Sequence, residues 1–256
     1  TQDIRKIKDP FSLLSVKKID GIIGGPPCQG FSLSGYRDVK DPRNSLFVEF
    51  VRFVKIINPK FFIMENVPGI MSMKTKKGDK VISIIRNQFE KNGYKLIINK
   101  LNAAFYGVPQ LRERIFFFGI RQDMPMNPDF LIPKKIITKG NFYTLNDAIS
   151  DLPKINPGEG DLIQEYINKP KSDYQKIMRK NSKHITNHIP MRHTQRLIER
   201  FKVIKIGQSL SDVPAEHMQR KRGEANKISG KIYGQNNMRP HPNKPSPTIA
   251  ASFQSN

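Results

Sequence analysis

The sequence predicts an α/β protein, a doubly wound and mostly parallel sheet, with a smaller and more irregular second domain. Three observations predict it. Over residues 1–121, short apolar runs alternate with stretches whose apolar residues recur at helical spacing. After Arg121 that alternation stops, and proline and lysine set the texture. Hydrophobic residues make up 37% of the 256 residues, which is enough for a packed core and argues against wholesale disorder.

The elements follow in order. IDGIIGG (19–25) is a short apolar run closed by glycines and reads as a buried parallel strand. NSLFVEFVRFVKII (44–57) carries apolar residues at helical spacing and is stopped by Asn58-Pro59. FFIMEN (61–66) is a second buried strand ending in polar residues. KVISIIRNQFEKNG (80–93) is a helix that ends at Gly93. YKLIINKLNA (94–103) and RERIFFFGI (112–120) are strands. This β-α-β-α-β order implies parallel strands with crossovers, and places chemistry at their carboxyl ends. Beyond Arg121, MRHTQRLIERFKVIK (191–205) is the best helix candidate, and residues 216–245 are basic, glycine-punctuated and expected to be irregular. SPTIAASFQSN (246–256) regains strand character.

Charge and cysteine usage narrow the function. Forty-four Lys and Arg face twenty-two Asp and Glu, a net charge of +22. Such a surplus favours a polyanionic partner, because neutralising phosphates releases condensed counterions. No uncharged stretch is long enough for a transmembrane helix, and the start lacks the apolar run of a signal peptide, so a cytoplasmic protein with no membrane partner is expected. A single cysteine forms no internal disulfide and no cysteine-cluster zinc site. His184, His188 and His193 lie close together in sequence without an accompanying ligand pattern, so no metal is expected.

That cysteine, Cys28, sits in GGPPCQGFS, behind two prolines at the end of a strand. Such a turn can expose a thiolate nucleophile, although a satisfied structural thiol remains an alternative. Glu65 in FIMENVPG stands at the next strand end. A carboxylate there can share a proton with a ring nitrogen, or serve as a cap or salt-bridge partner. In QLRER, alternation puts Arg112 and Arg114 on one face of the following strand. Two guanidinium groups can bind phosphate, a carbonyl oxygen or a carboxylate, or be plain surface charge.

PPCQGFS, then ENV, then QxRxR, in this order, resembles the C5-cytosine DNA methyltransferase family of bacterial restriction–modification systems. The resemblance covers most of residues 1–121 strongly and RPHPNKPSPTIAASF more weakly. It implies a Rossmann-like, S-adenosylmethionine-dependent methyltransferase fold. In that reading residues 1–121 belong to the catalytic domain, 122–240 to a target-recognition domain, and 241–256 return toward the catalytic domain. It further implies that Cys28 adds to C6 of a flipped-out cytosine in double-stranded DNA, making C5 nucleophilic toward the methyl group of S-adenosylmethionine. Glu65 would contact N3 and the exocyclic amine, Arg114 the base O2, and Arg112 would brace the site. Asp3 and Ile4 in DIRKI, with Pro26 and Leu46, would line the cofactor pocket. Gly30 to Gly35 would form a loop closing over DNA. Ser32 and Thr248 would meet the backbone, and Arg222 and Gln235, with Asn226, Lys227 and Asn236, are candidates for reading bases.

The chain also departs from the family pattern. The glycine-rich cofactor loop and the ribose-binding acid would precede DIRKI, and a late asparagine motif would follow SFQSN. The expectation is therefore an excerpt of a longer protein, or a chain completed by a second polypeptide. Two other functions compete: a tRNA cytosine-C5 methyltransferase of the related branch, and a non-catalytic DNA-binding subunit. Gly30 and Ser32 after PPCQ favour DNA over tRNA, and the intact Cys28–Glu65–Arg114 set argues against a mere binder.

Overall fold

The structure, a computed structural model, describes residues 3–13, 15–16, 18–27, 46–75, 78–218, 220–221, 224–228 and 237–249. The chain divides into two units: Thr1–Asn102 with Glu113–Lys135, and Ala103–Arg112 with Ile136–Asn256. The boundary is thus not a single point, since ten residues between two strands of the first unit cluster with the second.

The first unit is a Rossmann-like α/β layer. Its strands are β1 (Gly21–Gly24), β2 (Phe61–Asn66), β3 (Tyr94–Asn102) and β5 (Glu113–Arg121), in the spatial order β1-β2-β5-β3. β1 and β2 are parallel, whereas β5 lies between β2 and β3 and runs antiparallel to both. Three strands therefore share one direction and the last is reversed. The reason lies in the connections. α1 (Leu46–Ile57) and α2 (Val81–Lys91) supply the crossovers that parallel strands need, but no α-helix separates β3 from β5. α1 stops where Asn58 adopts φ 49° ahead of Pro59, and α2 is followed by Gly93 at φ 82°, whose N–H donates to the Glu90 carbonyl at 3.0 Å.

Both helices cover the same sheet face. Phe50 of α1 and Phe89 of α2 meet Phe62 of β2, the latter pair stacked at 4.2 Å between centroids. Met64, Ile85, Tyr94, Ile115 and Phe117 complete this core. Among the described residues no α-helix of this unit lies on the opposite face, so the winding is seen on one side. β1 is also less buried than its apolar sequence predicts: among the described residues it pairs with β2 alone, and Ile23 is 75% exposed. An edge strand covered on one face leaves its outward-pointing residue in solvent.

The second unit is built from short pieces. β4 (Gln110–Leu111) pairs in parallel with β10 (Ser246–Pro247), and β6 (Ile163–Gln164) pairs antiparallel with β7 (Ile185–Thr186). α3 (Leu145–Ile149) and α4 (Asp173–Arg179) each begin with a capping box, Thr144 with Asp147 and Ser172 with Gln175. They pack together: the Ser172 hydroxyl donates to the Asp147 carbonyl at 2.7 Å, and the buried Gln175 amide donates to the Asn146 carbonyl at 3.2 Å. α5 (Gln195–Val203) falls within the expected helix, and leads into a small cluster of Ile204, Leu210 and Val213. The basic stretch expected to be irregular contains an antiparallel hairpin, β8 (Arg220–Lys221) with β9 (Glu224–Ile228). Of the strand expected over 246–256, β10 occupies the start, and residues 250–256 lie outside the described residues.

Two stability predictions follow from close packing. A Cβ on Gly119 would stand 2.1 Å from the ring of the fully buried Phe62, which Phe89 and Tyr94 hold in place. Gly119→Ala is expected to cost about 1–3 kcal/mol by overpacking, read as a lower urea midpoint. In the second unit the buried Asp151 pairs with Arg179 at 3.1 Å, and Arg179 lies 3.7 Å over the Tyr166 ring and donates to the Asn168 carbonyl at 2.7 Å. Removing one partner strands the other charge, so Asp151→Ala is expected to cost about 3 kcal/mol in the same assay.

Candidate active site at one edge of the sheet

β1 and β2 are parallel, so their carboxyl ends share an edge, and the reversed β5 starts at that edge. Glu65 therefore comes near the start of β5, and its Oε1 lies 2.8 Å from Nε of Arg114. Arg114 also donates from Nη1 to the Glu113 carbonyl at 2.7 Å, which fixes the guanidinium plane. Glu65 is 35% exposed and Arg114 19%, so the pair is open to a ligand. The turn leading to Cys28 passes directly beside it. A Cβ on Gly25 would stand 3.2 Å from Glu65 Oε2, so glycine here leaves the carboxylate its room. The neighbouring Asn66, 3% exposed, donates to the Pro26 carbonyl at 3.4 Å and accepts from the Val67 N–H at 2.9 Å. This tie between the two strand ends is not visible from ENV alone. A polar residue closing an apolar strand was its available signal.

Beside these residues opens a cleft of about 350 Å³ lined by Ile4, Ile22, Ile23, Pro26, Pro27, Leu46, Phe50 and Phe53, with Gly24 and Gly25. Three of the four residues expected at a cofactor, Ile4, Pro26 and Leu46, are in this lining. The fourth, Asp3, caps the 3-10 turn Ile4–Lys6 instead. Its carboxylate is gripped by the Arg5 side chain, at 2.6 Å from Nη2, and by the Arg5 N–H at 3.0 Å. These bonds to Arg5 lower its pKa to about 2. Phe50 and Phe53 were not anticipated as lining residues; their helical spacing signals an apolar face without saying what it meets.

Arg112 lies one residue before β5 and not within it. β5 begins at Glu113, and Arg112 belongs to the second unit. There its N–H donates to the Gln110 carbonyl at 3.0 Å and its carbonyl accepts from the Ala103 N–H at 3.0 Å. Thr248, expected at a nucleic-acid backbone, donates its hydroxyl to the Leu111 carbonyl at 2.9 Å, while the Ser246 N–H donates to the Pro109 carbonyl at 2.9 Å. Cys28, Ser32, the loop Gly30 to Gly35, Arg222, Gln235 and Asn236 lie outside the described residues. Asn226 and Lys227 fall on β9. The histidines have local partners: His184 Nδ1 lies 2.8 Å from Glu165, His188 Nε2 lies 2.9 Å from the Pro153 carbonyl, and His193 meets Phe201 edge-on.

The sequence model of C-5 cytosine-specific DNA methylase matches residues 1–254. The chain belongs to the C-5 cytosine-specific DNA methylase family. Among its relatives, the Type II methyltransferase M.DdeI of Desulfomicrobium norvegicum is 58% identical over the whole chain, which covers 62% of that protein. The Type II methyltransferase M1.HphI of Haemophilus parahaemolyticus is 39% identical over 83% of the chain, covering 50% of that protein. The chain thus spans about half to six tenths of the length of these relatives. A crystal structure described as a DNA modification methyltransferase encoded within an E. coli prophage superposes with a TM-score of 0.62 at 26% identity, over 96% of this chain and 71% of that one. Family membership makes the strand-edge cluster the candidate active site. No helix among the described residues is long and apolar enough to cross a membrane.

The bond from Thr248 makes a separate, local prediction. Thr248→Val should free the Gln110–Leu111 segment and speed amide exchange at Ser246, whereas Thr248→Ser should leave that exchange unchanged.

Proposed function

We propose that this chain carries the methyl-acceptor site of a DNA cytosine-C5 methyltransferase of a restriction–modification system. The observation that carries the reading is the Glu65–Arg114 pair at 2.8 Å, beside the Gly25 turn that leads into Cys28. A cytosine inside a duplex hides both faces of C5 and C6, so the base must leave the stack before it reaches this edge. The Cys28 thiolate forms a bond to C6, and the displaced electron pair moves toward C5. Glu65 shares a proton with ring N3 and accepts from the exocyclic amine, which offsets the charge building on the ring. Arg114 donates to the base O2 while its Nε keeps Glu65 in place, and Arg112 braces the segment. Once C5 has taken the donor's methyl group, with the methyl–sulfonium bond broken and the donor released as a neutral thioether, loss of the C5 proton to solvent with rupture of the S–C6 bond frees the thiolate and the 5-methylated base.

The donor is S-adenosylmethionine, which supplies an electrophilic methyl group on a sulfonium. The described cleft suits part of it. Ile4, Leu46, Phe50 and Phe53 form apolar and aromatic walls for a flat purine, and Pro26-Pro27 bring the lining to the residue before Cys28. The lining holds no acid for ribose hydroxyls among the described residues. Asp3 can meet the adenine amine if its carboxylate keeps a lone pair beside Arg5. The basic second unit is the reader of double-stranded DNA, with Arg222 and Gln235 as its candidate contacts, while Ser32 of the first unit and Thr248 are candidates for the DNA backbone. A second polypeptide, or further length of the same chain, would complete the donor pocket.

The test uses duplex DNA carrying 5-fluorocytosine with S-adenosylmethionine, on residues 1–256 and on a polypeptide extended to the length of the relatives. Fluorine at C5 is not lost as a proton is, so the adduct persists. A covalent complex that disappears in Cys28→Ser is expected from the longer chain. Glu65→Gln should slow methylation of ordinary DNA roughly 10²–10⁴-fold. An absence of adduct on DNA that demonstrably binds would leave only a binding role.

A further inference from the structure

The cleft has a brace that the proposed chemistry does not use. Arg52 projects from α1 and reaches three partners at once. Its Nε and Nη2 each lie 2.7 Å from Glu49 Oε2, one turn earlier on the helix. Its Nη2 also donates to the Ile4 carbonyl at 2.9 Å, across 48 positions of sequence. Its guanidinium carbon lies 4.9 Å from the centroid of the Phe53 ring. Ile4 and Phe53 are both walls of the cleft, one from the N-terminal turn and one from the helix. Arg52 is 30% exposed and Glu49 22%, so solvent competes only partly for these bonds.

The N-terminal turn needs such a brace. It is a three-residue 3-10 turn, Ile4–Lys6, with no buried side chain of its own. Inside the turn, the Ile4 carbonyl receives a long bond from the Ile7 N–H, at 3.3 Å. Asp3 and Arg5 pair with each other. The carboxylate of Asp3 raises the pKa of Arg5, with a smaller lift from Glu49, so Glu49 stands within electrostatic reach of both arginines. A guanidinium suits this position better than an ammonium, because its planar fork can hold a carboxylate and a carbonyl together with a ring beneath.

We propose that Arg52 is a positioning residue for methyl-donor binding, clamping the Ile4 turn to α1 so that Ile4 and Phe53 stay in register as the walls of one cleft. The inference rests on the reading of that cleft as the S-adenosylmethionine site. Glu49 is the counter-charge that aims Arg52. Neither residue touches the acceptor base, so the effect falls on the donor and not on the chemical step.

The experiment uses the full-length chain and its Arg52→Gln and Arg52→Lys variants. Binding of S-adenosylhomocysteine is measured by equilibrium dialysis, and initial rates are measured against S-adenosylmethionine and against DNA. Arg52→Gln should weaken binding and raise KM for the donor about 10-fold, the loss of one charge-assisted hydrogen bond. Its kcat and its KM for DNA should stay within about two-fold. Arg52→Lys should fall between Arg52→Gln and the parent, since it keeps the charge and loses the fork. Unchanged donor affinity in Arg52→Gln would overturn the proposal, as would parallel losses in donor affinity, kcat and DNA KM, which mark general damage. If the parent binds donor and methylates while Arg52→Gln binds equally well, only the brace fails. If the parent binds no donor, the reading of the cleft fails with it.

Discussion

The site depends on the reversal of one strand. A parallel β5 would have begun at the opposite edge of the sheet, leaving Arg114 beside Phe61, four residues and about 13 Å along β2 from Glu65. The connection of ten residues between β3 and β5 carries no α-helix, so the chain turns back and inserts between β2 and β3. The amino end of β5 then lies where β2 ends, and a carboxylate and a guanidinium meet. The pair contributes little stability, because both groups reach solvent. Its value is orientation: Arg114 holds one carboxylate oxygen of Glu65, and the other faces the turn at Gly25.

The aromatic core couples stability to the cleft. Phe50 lies in both: it packs edge-on against Phe62 and Phe89, and it also lines the cleft. α1 is amphipathic in an unusual sense, with one face on the sheet and an adjacent stripe, Leu46, Phe50 and Phe53, on a space sized for a ligand. Phe50 therefore cannot be changed for binding alone, because the same ring fills the core. Arg52 sits beside that stripe and ties the helix to the N-terminal turn through a single carbonyl.

The second unit rests on a different physical basis. It buries few large apolar side chains, with Ile204, Leu210 and Val213 as its small cluster. Its short helices owe their starts to capping boxes, the buried Gln175 bonds to backbone and side-chain groups, and the buried Asp151 pairs with Arg179. Such an assembly tolerates sequence change at exposed positions as long as the caps persist.

Much was legible in the sequence because it depended on local periodicity or on a motif. Apolar runs of five or six residues closed by glycine or polar residues located β1 and β2, and 3.6-residue spacing located α1, α2 and α5. PPCQ, ENV and QxRxR identified the family, and with it the residues to examine. Short elements such as α3 and α4 escaped, since five or seven residues give no period to read and their stability comes from caps and mutual packing. The hairpin of β8 and β9 escaped because its composition reads as a charged loop. By itself the sequence determined the family and which stretches of the first unit are strand or helix, because motif and periodicity are local properties. Tertiary structure alone decided the direction of β5, the exposure of Ile23 and the reach of Arg52 to Ile4, because each depends on where distant segments of the chain come to rest.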